Sequence, residues 1–144
     1  MEDVYFSLGS NMGDRKENLL KALVKMDSAF GVRYSRLSSF LETESWGFDA
    51  DPFINCAVMY RMEADPFDVL DICKQIEKEM GREENVEYDS EGRRIYHSRV
   101  IDIDILYFGD RKIDSARLTI PHPLIAERDF VKIPLAEIFE TVSK

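Results

Sequence analysis

The chain has 144 residues, of which 44% are hydrophobic and 33% are charged, and this composition is typical of one globular domain spanning residues 1–144. Its net charge of −9 argues against a nucleic-acid partner, and no apolar run approaches the roughly 20 residues of a membrane span. Its start lacks the basic and apolar segments of a signal peptide, and Cys56 and Cys73 have no paired spacing. We therefore expect a cytoplasmic protein with reduced thiols.

The first predicted elements are a strand and an amphipathic helix. Val4–Leu8 predicts the strand, which is expected to end in a tight turn where Gly9 permits a close backbone approach. Asp14 and Glu17 have the spacing of a capping box. Apolar residues then recur at helical spacing, which predicts a helix over 15–30.

The middle of the chain predicts two strands and a second helix. Strands are expected over 36–41 and 53–62, with a loop between them. Asp65 is a natural N-cap before a proline, and Gly81 is a natural C-terminal stop. The sequence therefore predicts a helix over 66–80.

The last part of the chain predicts a long connection and several short elements. Residues 83–98 are polar and without usable periodicity, so we expect a connection that acts as a lid or is a surface insertion. A buried strand follows over 99–109, then a short strand over 118–120, a small helix near Leu124 and another over 134–139. The order β-α-β-β-α-loop-β predicts a ferredoxin-like α+β sandwich, a mostly antiparallel sheet with helices on one face and the other face partly open.

Two aspartates on the buried strand are the most informative feature of the sequence. Alternate strand residues share a face, so Asp102 and Asp104 point the same way, roughly 6.5 Å apart, while Ile101, Ile103 and Ile105 point the other way. Two carboxylates on a core strand repel each other unless a cation lies between them, and Mg²⁺ is held by such groups together with phosphate oxygens. The alternative is an exposed edge strand with acidic residues that prevent edge pairing. The apolar neighbours favour the metal site.

Other side chains are candidates for ligand binding. Asn55 shares a strand face with Phe53, so the amide either reads the edge of a planar heterocycle or is a satisfied core residue. Glu77 lies at the margin of the second helix's apolar stripe, which fits either a stripe-edge or a functional residue. His122 is held between two prolines, and a cradle for a triphosphate is expected from it together with its neighbours Arg117, Thr119 and Arg128.

Together these segments resemble the 6-hydroxymethyl-7,8-dihydropterin pyrophosphokinase family. The matching stretches are residues 7–14, 53–58, 76–77 with 81–82, 99–106, and 118–123 with Arg128. The resemblance implies transfer of a pyrophosphoryl group from ATP to the hydroxymethyl group of the pterin, leaving AMP, in folate biosynthesis. It implies only these two small-molecule partners, and we expect a monomer. The runner-up is a ferredoxin-like regulatory module that binds nucleotide without catalysis, and the paired aspartates favour the enzyme.

The resemblance also implies a role for particular residues. Two Mg²⁺ ions bridging the triphosphate are expected on Asp102 and Asp104, with Arg82 and Arg99 completing the catalytic set. The implied ATP-binding residues are Glu77, Arg82, Arg99, Arg117, Thr119, His122 and Arg128. The implied pterin-binding residues are Thr43, Trp46, Phe53, Asn55, Tyr96, Asp102 and Phe130. Tyr96 stands where the family commonly has tryptophan.

Overall fold

The computed structural model describes residues 1–43, 52–81 and 100–139, with the backbone of 87–88 and 94–95. The strands are β1 (Glu2–Ser10), β2 (Arg36–Leu37), β3 (Leu41–Thr43), β4 (Phe53–Met62), β5 (Glu87–Tyr88), β6 (Arg94–Ile95), β7 (Asp102–Phe108), β8 (Ile113–Asp114) and β9 (Thr119–Ile120). The helices are α1 (Arg15–Phe30), α2 (Pro66–Glu79) and α3 (Asp129–Phe139), with a short 3₁₀ helix over Ile125–Glu127.

A five-stranded sheet forms the centre of the fold. Its strands follow the order β2-β4-β1-β7, and β3 also pairs with β4. The pairings β1–β4, β1–β7, β2–β4 and β3–β4 are all antiparallel. The predicted mixed fold with a mostly antiparallel sheet is confirmed, and β7 lies at one end of the sheet.

Helices cover both faces of the sheet, which differs from the expectation of helices on one face. α1 and α2 bury Leu19, Met26 and Cys73 against one face, together with Ile103 and Ile105 of β7. α3 packs on the opposite face, where its buried side chains meet four sheet residues, Tyr5, Ala57, Met59 and Leu106. α3 crosses only the part of this face where the sheet residues are apolar, so the rest of the face is left for polar side chains.

Both long helices begin where their sequences predict; α1 also ends as predicted, and α2 ends at Glu79, one residue before its predicted end. The Asp14 carboxylate accepts a hydrogen bond from the backbone N–H of Glu17, and α1 ends at Gly31 with a φ of 76°. Such a left-handed conformation suits a residue without a Cβ. Asp65 caps α2 in the same way by accepting from the first-turn N–H groups.

The predicted strand over 36–41 is split into β2 and β3. At Ser38 the backbone N–H still donates to the Ala57 carbonyl at 2.9 Å, but the Ser38 hydroxyl takes the place of its carbonyl and accepts from the Ala57 N–H at 2.8 Å. A serine side chain can compete with the backbone in this way, which interrupts the ladder. The pairing resumes at Leu41–Thr43, so Thr43 lies in a strand where a loop was expected.

The last part of the chain differs from its prediction in two ways. The connection over 83–98 contains a short antiparallel ladder between β5 and β6, where no strands were expected. α3 begins at Asp129 instead of Pro134, and the proline lies inside the helix. A proline inside a helix removes its own N–H donor and crowds the carbonyl four residues earlier, but the Pro134 side chain is buried, which offsets part of this cost. The small helix near Leu124 is the 3₁₀ turn Ile125–Glu127.

A bulge in β7 decides which of its residues face α3. Tyr5 pairs with Tyr107 and Phe6 pairs with Ile105, so Leu106 is left without a partner residue on β1. An extra residue in one strand lets two consecutive side chains share a face. Leu106 and Tyr107 therefore both pack on the α3 side. Within the described part of the chain, no helix is both long and apolar enough to cross a membrane.

Candidate functional site

The part of the sheet face that α3 leaves open carries two rows of side chains. In the outer row, Gly9 of β1 lies between Asn55 of β4 and Asp102 of β7. In the next row, Ser7 lies between Ala57 and Asp104. Residues directly opposite each other in antiparallel strands share a face, so both aspartates and Asn55 point to the same side. We call this region, defined by Ser7, Gly9, Asn55, Asp102 and Asp104, the open half-face.

Gly9 lies inside β1 and not in the tight turn that its sequence context predicts. A Cβ on Gly9 would come within 2.5 Å of Asn55 Oδ1 and 3.4 Å of Phe53 Cδ1. The missing side chain therefore leaves space for the amide of Asn55, which is only 3% exposed. A glycine within a strand often marks such a close approach. The close approach to Gly9 that the sequence predicts is confirmed, but the approaching group is the Asn55 side chain and not a backbone segment.

The β3–β4 end of the open half-face collects three of the predicted pterin residues. Thr43 pairs with Phe53, and Asn55 Nδ2 donates to Thr43 Oγ1 at 3.4 Å. Arg15 of α1 holds the two strands together, since its guanidinium donates to the Pro52 carbonyl at 2.7 Å and to the Glu42 carboxylate at 3.2 Å. The sequence analysis did not single out Arg15.

Asp104 lies in a strongly unfavourable environment for negative charge. The pKa of Asp104 is raised to about 7, first because burial disfavours its ionised form and then because Asp102 and Glu77 are negative neighbours. The cations Arg128 and Lys74 oppose this shift. Such a group of carboxylates gains most from a cation, because a cation reduces both the repulsion and the desolvation penalty.

The donor set fits a hard divalent ion such as Mg²⁺. Among the described residues, no group of three or more histidines, cysteines and acidic residues is placed to hold a metal by itself. Asp102 and Asp104 supply two carboxylates on one face, and Mg²⁺ commonly takes one or two protein carboxylates and completes its shell with water and phosphate oxygens. The pair therefore fits an ion that arrives with a phosphate ligand.

His122 is held both at its backbone and at its ring. Its backbone N–H donates to the Leu106 carbonyl at 3.0 Å, and its ring Nδ1 accepts from the Leu124 N–H at 3.1 Å. Because Nδ1 is an acceptor, the proton of the neutral imidazole lies on Nε2. Burial, followed by the charge of Arg128, lowers the pKa of His122, while Asp102 acts in the opposite direction. The ring is thus prepared as a neutral Nε2–H donor.

Arg128 and Phe130 lie at the margin of the open half-face, where α3 begins. The Arg128 guanidinium carbon lies 5.5 Å from the centre of the Phe130 ring, a distance typical of a cation–π contact. Arg128 also acts electrostatically on both Asp104 and His122. The structure therefore groups Arg128, His122 and the two aspartates in one electrostatic neighbourhood.

Arg117 and Thr119 have partners on α2 and β8. Arg117 pairs with Asp71 of α2, and its guanidinium lies 5.8 Å from the centre of the Phe67 ring. Asp71 precedes Glu77 by six residues, roughly 9 Å along the helix. Thr119 lies in β9, opposite Asp114. Arg117 thus contacts α2, whereas Thr119 lies on a short strand that pairs with β8 and packs beside β7.

Glu77 lies behind the acidic strand, not on the open half-face. Its side chain is 1% exposed, and Oε2 accepts a hydrogen bond from the Ile103 N–H at 2.7 Å. Four further predicted site residues, Trp46, Arg82, Tyr96 and Arg99, lie outside the described residues. Sequence reasoning passed over Ser7, although its position two residues from both Tyr5 and Gly9 places it on their face.

The fold is that of a small α+β domain, and its open half-face carries paired carboxylates on a core strand with cationic side chains at the margin. The family model described as 7,8-dihydro-6-hydroxymethylpterin-pyrophosphokinase matches residues 5–140. The chain therefore belongs to this pyrophosphokinase family, as its motifs predict.

Curated relatives support the same family. The chain is 45% identical over 140 residues to a 2-amino-4-hydroxy-6-hydroxymethyldihydropteridine pyrophosphokinase of Porphyromonas gingivalis, covering 96% of this chain and 91% of the relative. It is 38% identical over 141 residues to the protein of the same name from Bacillus subtilis, covering 97% of this chain and 80% of that relative.

A solved structure confirms the fold. The chain is similar to the crystal structure of an HPPK-DHPS in complex with substrates, with a TM-score of 0.66 and 15% sequence identity. The match covers 94% of this chain and 40% of the other. At this identity the likeness concerns the fold alone, and it confirms the ferredoxin-like architecture that the order of elements predicts.

Proposed function

We propose that the open half-face transfers a pyrophosphoryl group from ATP to the hydroxymethyl group of 6-hydroxymethyl-7,8-dihydropterin. As a member of its family the chain is a pyrophosphokinase of folate biosynthesis. The observation that carries the proposal is that Asn55, Gly9, Asp102 and Asp104 lie side by side on three adjacent strands. A pterin whose ring edge contacts the Asn55 amide would therefore have its hydroxymethyl group close to the carboxylates that bind the metal and phosphate.

In this proposal Asp102 and Asp104 hold two Mg²⁺ ions together with the triphosphate. When bound, the ions neutralise charge on the transferring group and on the oxygens that enter and leave. Phosphoryl transfer depends mostly on positioning and charge stabilisation, which suits a rigid strand. The pKa of Asp104, raised to about 7, supports an ion in this place, because the pair is otherwise a poor environment for two charges.

In this proposal the pterin and the triphosphate meet at the acidic pair, with Phe130 and Arg128 in contact where they approach each other. We assign the pterin to the Thr43, Phe53 and Asn55 side, where Asn55 reads the ring edge and Phe53, with Phe130, supplies aromatic contact. We assign the triphosphate to the side of His122 and Arg128, which offer an Nε2–H and a guanidinium. Arg82 and Arg99 are proposed to join the phosphate contacts, with Trp46 and Tyr96 beside the pterin.

The reaction forms one bond and breaks one. The hydroxymethyl oxygen of the pterin attacks the β-phosphorus of ATP, and the bond from that phosphorus to the oxygen bridging to the α-phosphate breaks. The products are the pterin diphosphate and AMP, and the hydroxyl proton is released. The residues of the open half-face act by orienting the two substrates and by excluding water.

Several coarser properties are part of the same proposal. We propose that residues 1–144 act as one domain and as a monomer, with small-molecule substrates only. We also propose a cytoplasmic location, because both cysteines are buried free thiols, as is typical of reducing compartments. Size-exclusion chromatography at several protein concentrations checks the monomer.

Product analysis tests the proposed reaction. The chain is incubated with ATP, Mg²⁺ and the pterin, and the nucleotides are separated. We expect AMP and the pterin diphosphate in equal amounts, with none formed when the pterin or Mg²⁺ is left out. ADP as the product would indicate an ordinary kinase, and nucleotide binding without turnover would indicate the regulatory module.

A further inference from the structure

Glu77 makes an unusual contact with the strand that carries the acidic pair. It projects from α2 to the outer edge of β7, where Oε2 accepts a hydrogen bond from the Ile103 N–H at 2.7 Å. Ile103 is the residue between Asp102 and Asp104. The contact therefore holds the short piece of backbone to which both carboxylates are attached.

The position of β7 in the sheet explains why this contact is needed. β7 pairs with β1 on one side and is the end strand of the sheet on the other. Among the described residues no strand pairs with β7 at the Ile103 N–H, which lies buried beside α2. A buried N–H without an acceptor is strongly unfavourable, and Glu77 supplies the acceptor.

A carboxylate is a costly choice for this task, which indicates that the contact does more than satisfy a donor. Glu77 is a third negative charge beside the aspartates, and its side chain is 1% exposed. Hydrogen bonds to a charged acceptor are shorter and stronger than neutral ones. Lys74 lies 3.8 Å from Oε1 and partly compensates the charge. The protein thus keeps a strong hydrogen bond to the β7 backbone at the cost of an additional buried negative charge.

We propose that Glu77 is a positioning residue that fixes the β7 backbone between Asp102 and Asp104 and so sets the geometry of both carboxylates before any ligand binds. The inference rests on the proposed function, because it takes the aspartates as the metal ligands. It differs from what the family resemblance implies, a place for Glu77 in ATP binding. A carboxylate that is 1% exposed and directed at a backbone N–H offers almost no surface to a nucleotide.

The Ile103 side chain supports this interpretation from the other direction. It is 3% exposed and packed in the core beneath α1 and α2. The side chain and the N–H of one residue are thus both fixed by the helical layer. The two neighbouring aspartates point away from that layer, and their backbone is fixed at Ile103, the residue between them.

Two variants of Glu77 test the proposal. Glu77→Gln keeps an oxygen that can accept from the Ile103 N–H, whereas Glu77→Ala removes the acceptor. Residues that support metal ligands from behind typically change metal affinity or activity by about 10–100-fold when removed. We expect Glu77→Ala to lose about this much in kcat and in Mn²⁺ affinity, measured by electron paramagnetic resonance with a non-hydrolysable ATP analogue present. Glu77→Gln should recover most of both, within about threefold of wild type.

A readout independent of turnover is the hydrogen-exchange rate of the Ile103 amide. It should be slow in the wild type and in Glu77→Gln, and faster in Glu77→Ala. Gln75→Ala, on the exposed side of the same helix, is the control and should leave this rate unchanged. If Glu77→Ala does not fold, the Glu77→Gln variant decides the question by its Mn²⁺ affinity and its affinity for ATP in the absence of metal.

Two results would overturn the proposal. One is a Glu77→Gln variant whose metal-free ATP affinity falls by tenfold or more, because Glu77 would then be a nucleotide contact. The other is a folded Glu77→Ala variant with unchanged Mn²⁺ affinity. A wild-type chain that forms no AMP would overturn the proposed reaction but not the positioning role of Glu77. The exchange rate of the Ile103 amide would still test the hydrogen bond between Ile103 and Glu77.

Discussion

The two halves of the α3-side sheet face are built on the same three strands and yet have opposite character. Beneath α3 lie Tyr5, Met59 and Leu106, which are apolar or aromatic and almost fully buried. On the open half-face lie Asn55, Asp102 and other small or polar residues, which do not belong to the apolar cluster that α3 buries. The backbone pairing continues without a break from one half to the other along β1 and β4.

This comparison shows that side-chain chemistry, not the strand framework, separates the supporting half from the functional half. The covered half contributes stability by burying apolar area against α3. The open half-face retains a carboxylate pair whose charge the protein itself compensates only in part. Variants in the two halves should therefore change different quantities.

Replacing an aspartate of the open half-face should give the largest effect, and it should be on activity. Asp104→Asn keeps the shape but loses the charge that holds a cation, worth several kcal/mol in the transition state, so we expect kcat to fall about 10³-fold. Because folding raises the pKa of Asp104 to about 7, ionisation of this group disfavours the folded state above the unfolded pKa. The variant should therefore melt at a higher temperature than the wild type at pH 8. A folded variant with most of its activity would contradict the metal assignment.

Leu106 provides the matched variant in the covered half, two residues along the same strand. It is 1% exposed beneath α3, so Leu106→Ala leaves a cavity and should lower the free energy of unfolding by about 2–5 kcal/mol. Chemical denaturation measures this loss. The kcat of the folded variant should stay within a few-fold of the wild type. A loss of kcat as large as that of Asp104→Asn would mean that the two halves are not separable.

Gly9→Ala sharpens the comparison inside the open half-face. The added Cβ would lie 2.5 Å from Asn55 Oδ1, so the amide has to move. If Asn55 reads the pterin edge, its misplacement leaves partners unpaired, and we expect pterin affinity to fall about tenfold or more with ATP affinity little changed. Calorimetry with each ligand measures both. Asn55→Ala should reproduce this pattern, and equal losses for both ligands would make Asn55 a structural residue.

The sequence predicts the framework well because local rules determine it. α1 follows from its caps and apolar spacing, and the shared face of Asp102 and Asp104 follows from strand alternation alone. Three features depend instead on tertiary contacts. They are the break at Ser38, the bulge at Leu106, and the hydrogen bond from Ile103 to Glu77, which joins residues 26 positions apart. No pattern in the sequence specifies which donor a distant carboxylate will meet.

His122 connects the two halves and gives the smallest predicted effect. Its N–H is bonded to the Leu106 carbonyl at the edge of the covered half, while its ring belongs to the neighbourhood of Asp102 and Arg128. Because the folded protein lowers the pKa of His122, the neutral ring is favoured in the folded state. Its contribution to stability is therefore present above the unfolded pKa of about 6.5 and decreases as the pH falls below that value.

Nuclear magnetic resonance titration of the imidazole protons measures this shift, with His122→Gln used to separate the signal from that of His97. We expect the His122 signal to titrate below the ordinary histidine pKa. Added Mg²⁺ should lower this pKa further, because a cation bound to Asp102 would offset the negative charge that raises it. Relative to His122→Gln, the wild type should lose stability between pH 7 and pH 5. Two outcomes would contradict this coupling between His122 and the acidic pair. One is a His122 pKa above the ordinary histidine value, and the other is a His122 pKa that does not respond to Mg²⁺ at concentrations that support turnover.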